Sequence, residues 1–98
     1  MLKEKVGTVV EEEKDCVLKL YERKLALDEL MLSLNNPSFT KDARDELYEK
    51  IVADVGQTKL KMQNWWNDMH KKYQWKGIEG GNWNIDFQTN EIFLVKND

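Results

Sequence analysis

One cysteine, one proline and one histidine stand among the 98 residues of this chain, and each scarcity removes a class of protein. The single thiol, Cys16, cannot close an internal disulfide, so the sequence fits a reducing compartment and not a disulfide-stapled secreted domain. His70 has Asp68 and Lys71 beside it, which leaves no second nitrogen or thiolate at the spacing of a metal site. No stretch approaches the roughly 18 consecutive apolar residues of a membrane helix, and Met1-Leu2-Lys3-Glu4-Lys5 has no apolar core of a signal peptide. A cytoplasmic protein is expected. Glycine is also sparse, and Gly80-Gly81 lacks the spacing and the following helix of a phosphate loop, so neither a metal nor another cofactor is expected. A basic excess is missing as well: 18 acidic against 15 basic residues leave a net charge of -3, which gives no general attraction for nucleic acid or anionic lipid.

What is present is apolar enough to fold: 41% hydrophobic residues, with four tryptophans among the aromatics, beside 34% charged residues. A chain of this length builds one core, so residues 1–98 are expected to form a single domain. Thr8 followed three residues later by Glu11 reads as a capping box, and the run Glu11-Glu12-Glu13 favours the positive end of a helix dipole. The first helix is therefore expected over about residues 8–35. At 100° per residue, Cys16, Leu20, Leu27, Leu30, Met31 and Leu34 gather on one arc, which predicts a buried thiol. Leu18, Tyr21, Leu25 and Leu32 form a second arc nearly opposite. Two apolar faces on one helix require a partner beyond the next helix, and a homodimer in a four-helix arrangement is expected.

Asn35-Asn36-Pro37-Ser38 stops that helix, and Ser38 or Thr40 caps the next one, expected over about residues 39–75. Leu47, Tyr48, Ile51, Val52, Val55, Met62, Trp65, Trp66, Met69 and Tyr73 recur along one stripe. Gly56 leaves open whether this helix is continuous, kinked or broken. Beyond Trp75 the glycines at 77, 80 and 81 end the helix. The alternation of Trp83-Asn84-Ile85-Asp86-Phe87 and the run Ile92-Phe93-Leu94-Val95 then predict a β-hairpin over about residues 82–96. With Thr89-Asn90 as a two-residue loop, Phe87 faces Ile92 and Ile85 faces Leu94, while Phe93 and Val95 point away and leave an apolar edge. The fold class expected is mainly α, an antiparallel helical hairpin followed by a C-terminal β-hairpin.

Trp65, Trp66, Tyr73, Trp75, Trp83, Phe93 and Val95 are the candidate binding residues. They either complete the core or form an aromatic groove beside a sheet edge, suited to an apolar peptide. No catalytic constellation is visible, because the carboxylates lie at helix starts or in mixed-sign pairs such as Glu46/Lys50 and Asp68/Lys72. Two other readings stay open. Lys59, Lys61, Lys71, Lys72 and Lys76 run beside the aromatics as in single-strand nucleic-acid binders, although they spread around the helix. A small enzyme could form its site at a subunit interface from Cys16, His70 or the Asp86/Glu91 carboxylates.

Three blocks carry a family resemblance: Tyr21-Glu22-Arg23-Lys24-Leu25-Ala26-Leu27-Asp28-Glu29-Leu30; Leu47-Tyr48-Glu49-Lys50-Ile51-Val52 through Trp65-Trp66; and Trp83-Asn84-Ile85-Asp86-Phe87 with Glu91-Ile92-Phe93-Leu94. Together they resemble the small bacterial family of CXXX repeat peptide modification system proteins, over about Val6 to Val95. The resemblance implies an accessory protein beside a maturase that modifies a ribosomally made, cysteine-repeat precursor peptide. This chain has no such repeats, so it would be the accessory protein and not the modified peptide. The resemblance carries over no catalytic residue.

Overall fold

A computed structural model describes residues 2–97; Met1 and Asp98, which the expected range 1–98 includes, lie outside the described residues. The elements are β1 (Leu2–Thr8), α1 (Glu11–Ser33), α2 (Lys41–Tyr73), β2 (Asn82–Asp86) and β3 (Glu91–Lys96). The fold is mainly α, with the expected helical hairpin and C-terminal β-hairpin. Its contacts fall into two compact units, one of Met1–Leu18 with Trp66–Asp98 and one of Lys19–Trp65.

The Lys19–Trp65 unit is an antiparallel helical pair. Residues 20, 24, 27 and 31 of α1, Leu34 just beyond it, and residues 44, 47, 51, 55, 58, 62 and 65 of α2 are buried or half-buried and recur every three or four residues as in a heptad seam, with Tyr21 and Asp54 half-buried beside it. Leu27, Leu34 and Ile51 are buried together, with Met31, Leu47 and Val55 packed around them. Thr58 also sits in the seam, only 1% exposed, and its hydroxyl donates to Asp54 Oδ1 at 3.2 Å. Asp54 in turn accepts from Arg23 Nε at 2.9 Å and from Arg23 Nη2, so the polar intrusion is satisfied from both helices. Tyr48 and Val52, expected on the buried stripe, are exposed instead, because a 3.5-residue seam is narrower than the full apolar arc. Thr40 is the cap of α2: its carbonyl accepts from Arg44 N at 2.9 Å and its hydroxyl from Ala43 N at 3.2 Å.

The other unit is a three-stranded antiparallel sheet of order β1-β3-β2 beside the first turns of α1 and the last turns of α2. Residues 2–8 form the strand that the sequence pattern concealed. The start of α1 is therefore shifted. Thr8 belongs to β1, and Glu13, not Glu11, reaches back to the chain at the helix start, where its Oε1 accepts from Val10 N at 3.0 Å. Val10 has no side-chain oxygen to return the bond, so half a capping box survives, two residues late. Cys16 is exposed, contrary to expectation, because the buried line runs through Lys14 and fully buried Val17. Lys14 covers apolar surface with its stem while its ammonium pairs with Glu11 at 2.6 Å and Asp15 at 3.0 Å.

The β2–β3 register differs from the expected one by two residues. Asp86 pairs with Glu91, Ile85 with Ile92 and Trp83 with Leu94, so the loop has four residues and Phe87 lies in it. Asp86 sets this loop: its Oδ1 accepts from Gln88 N at 2.8 Å and Thr89 N at 3.3 Å, its carbonyl accepts from Asn90 N, and Asn90 takes φ 61°. A two-residue slip keeps the parity of the strand, so Trp83, Ile85, Ile92 and Leu94 share one face as expected. The edge expected beside Phe93 and Val95 is not open, because β3 is the central strand and β1 pairs along it from Leu2↔Lys96 to Thr8↔Glu91.

Helix α2 runs through Gly56 without a break. A Cβ built there meets nothing within 4 Å, so Gly56→Ala replaces a flexible, exposed helical residue at no steric cost. The expected gain is about 1 kcal/mol, seen as a melting temperature roughly 4–8 °C higher in a thermal scan.

Candidate interaction site

Helix α2 ends at Tyr73, two residues before the expected Trp75 and ahead of the glycines. Gln74 adopts φ 52° and its N–H donates to the His70 carbonyl at 2.8 Å, a left-handed helix stop. A glutamine in that conformation costs about 1–2 kcal/mol, and what offsets the cost is the residue after it. The reversal at Gln74 lays the Trp75 indole parallel to the Tyr73 ring, with centroids 5.6 Å apart and planes inclined by 4°. Trp66, two helical turns before Tyr73, meets Trp75 edge-on at 6.1 Å, and Trp83 of β2 does the same at 6.1 Å. Trp75 is thus the hub of the cluster and is 6% exposed. His70 extends the cluster outward: its ring lies 4.7 Å from that of Trp83, tilted by 32°, and the residue is exposed.

The sheet is shaped to receive the hub. Between Lys5 and Gly7 the β1–β3 register shifts by one, leaving Val6 as an extra residue in a bulge. The bulge brings Gly7 opposite Ile92, on the face that carries Trp83 and Leu94. A Cβ at Gly7 would stand 2.6 Å from Trp75 Nε1 and 2.8 Å from its Cδ1, so only glycine leaves room for the indole. The Trp75 N–H is buried against this backbone without an acceptor, whereas the Trp83 N–H donates to the Lys76 carbonyl at 2.9 Å.

Electrostatics fasten the rim. Glu13 Oε1 accepts from the Tyr73 hydroxyl at 2.5 Å, and its Oε2 accepts from Lys72 Nζ at 2.7 Å. Burial opposes ionisation of Glu13, but the bonds from Lys72, Tyr73 and Val10 N outweigh it and hold the carboxyl below its ordinary 4.5. The Tyr73 hydroxyl is pushed up, first by its bond to Glu13 and then by burial. At the strand edge Glu4 takes Lys76 at 3.2 Å, and Lys5 takes Glu91 at 3.0 Å.

Of the seven candidate residues, the structure brings Trp66, Tyr73, Trp75 and Trp83 together. Trp65 is buried and falls in the Lys19–Trp65 unit. Phe93 and Val95 lie on the opposite sheet face from Trp83, since they neighbour Leu94 on β3, and Lys3 Nζ stands 4.7 Å over the Phe93 ring. His70 was missed as a member of the cluster. Its signal was legible, because Trp66, His70 and Tyr73 are four and three residues apart on one helical face.

No protein family, curated protein or solved structure matches the chain. The arrangement itself must speak. Among the described residues no three His, Cys, Asp or Glu side chains approach closely enough to hold a metal ion, and no helix is long and apolar enough to cross a membrane. The cluster offers flat apolar ring surface, with His70 exposed and Trp66 and Trp83 half-buried. Beside it runs β2, whose outer edge is unpaired because the strand order places β2 at the end of the sheet. Such an edge can hydrogen-bond the main chain of an extended peptide, while neighbouring rings select apolar side chains.

Two predictions follow from the hub and its rim. Gly7→Ala forces the indole off its stack and should cost about 1–3 kcal/mol in chemical denaturation, with a red-shifted tryptophan emission. Glu13→Gln should cost about 1 kcal/mol at neutral pH. Since the folded carboxyl titrates below its unfolded value, its contribution is full above 4.5 and is lost as pH falls through the lowered range. The stability gap between wild type and variant should therefore close in acid.

Proposed function

We propose that this chain is a non-catalytic accessory protein that captures an extended peptide segment by strand addition at β2. The observation that carries the reading is the unpaired edge of Asn82–Asp86 beside the Trp83–His70 pair; β3 is paired on both sides, and β1, the strand at the other end of the sheet, contributes no ring of its own. Main-chain pairing accepts any sequence, and the rings beside the edge favour apolar or sulfur-bearing side chains, which pack well on aromatic faces. The resemblance to CXXX repeat peptide modification system proteins supplies the partner: a cysteine-repeat precursor peptide, or the maturase that acts on it, in a bacterial cytoplasm. The edge is short and carries Asn82, Asn84 and Asp86, which suits transient capture and release more than permanent assembly.

The reading is tested by titrating the isotopically labelled protein with a cysteine-repeat peptide under reducing conditions and following amide and indole resonances. Shifts concentrated at Asn82–Asp86 and at the Trp83 indole are expected. Shifts confined to β1 or to the helical pair, or none at all, would overturn it.

A further inference from the structure

The helical pair carries a second apolar surface that its own seam does not use. Leu25 and Leu32 lie seven residues apart, hence on one line of α1, and are 64% and 71% exposed; Tyr48 and Val52, one turn apart on α2, are 52% and 45% exposed. In an antiparallel pair these two lines flank the same side of the seam. Leu32 and Tyr48 meet there, where with Met31, Leu34, Arg44 and Asp45 they line an open groove of about 490 Å³. Large apolar side chains gathered on one side mark an interaction surface rather than ordinary exposure.

The polar groups of the groove identify what covers it. Arg44 and Asp45 are adjacent and opposite in charge, and neither forms an ion pair or a side-chain hydrogen bond with the described residues; Arg44 Nε is buried without any acceptor. The nearby Lys24 and Asp28 already satisfy each other at 3.1 Å. We propose that a second copy of the chain closes this face. In a two-fold contact Leu25, Leu32, Tyr48 and Val52 of the two copies interdigitate, and Arg44 of each copy meets Asp45 of the other. Charge complementarity selects this occupant. A groove with one cation next to one anion, neither paired with the described residues, is complementary to its own reversed copy, whereas a purely basic or acidic segment would leave one of the two facing like charge. Two hairpins joined in this way make a four-helix arrangement. This inference is independent of peptide capture at β2.

The test is the solution mass of the full chain by sedimentation equilibrium, for wild type, Arg44→Asp, Asp45→Arg and Leu32→Ser, with circular dichroism to verify the fold of each. Wild type should be a dimer. Either charge variant should weaken association about a hundredfold, since each sets like charges opposite one another twice per dimer. An equimolar mixture of Arg44→Asp with Asp45→Arg should restore the dimer, because one chain then presents only acids and the other only bases. Leu32→Ser should weaken association about tenfold while the fold is kept. A monomeric wild type, variants that dimerise unchanged, or a mixture that stays monomeric would each overturn the proposal. So would a monomer that takes up a helical peptide in the groove instead.

Discussion

The burial of one indole, that of Trp75, is the constraint on which the sheet-bearing unit depends. A tryptophan offers about 150–250 Å² of surface, and at 6% exposure nearly all of it is withdrawn from water. To reach that position the chain gives up two things: a relaxed backbone at Gln74, and a hydrogen bond for the Trp75 N–H. Each loss amounts to about 1–3 kcal/mol, and the stacking and burial must exceed their sum for the arrangement to persist. The same insertion dictates the residue opposite. The bulge at Val6 and the absence of a side chain at Gly7 are what the sheet contributes to make room.

The two units are held by different means. The helical pair rests on a repeating seam of modest aliphatic contacts, in which no single position dominates and one threonine is tolerated because Asp54 and Arg23 complete its hydrogen bonding. The sheet unit rests on a few large, shape-specific contacts, the ring cluster and the Glu13 node. Packing of the first kind tolerates substitution, whereas packing of the second kind is sensitive to a single methyl group. The candidate edge of β2 beside the second kind has a rigid support, and a preorganised surface lowers the ordering cost of any contact it makes.

The helices were legible because their periodicity extends over many turns, and the β-hairpin because alternation and turn residues coincide. The first strand was not. Leu2-Lys3-Glu4-Lys5 has high charge and no apolar face of its own, so its extended form is imposed by pairing with β3 and not by local preference. The acidic run beginning at Glu11 then drew the helix start too early, since any of three glutamates can serve a cap. In the hairpin loop, the capacity of Asp86 to bind two backbone N–H groups outweighed the shorter turn. The aromatic cluster was half legible: Trp66, His70 and Tyr73 share a face by spacing, but their meeting with Trp75 and Trp83 depends on the reversal at Gln74, for which glutamine gives no signal. The exposure of Cys16 followed from the buried line of the first turns of α1 passing through Lys14 and Val17, a shift of one residue that an arc-based reading does not resolve.

The strand order has a consequence for the time course of assembly. The central strand of the sheet is β3, the last element in chain order, and it joins a first strand whose Thr8 must find Glu91 across both helices. Closing so long a loop is entropically costly and gains nothing until the pairing is complete, whereas the seam of the helical pair zips from a turn of a few residues. The hairpin of helices therefore has the kinetic advantage, the β2–β3 pairing is likewise local, and the β1–β3 pairing that completes the sheet comes last. A nascent or thermally excited chain would accordingly hold its helices while its two-stranded β2–β3 ribbon, marginal alone in water, lacks the support of β1, so that the order of the candidate edge reports completion of the most distant contacts in the molecule.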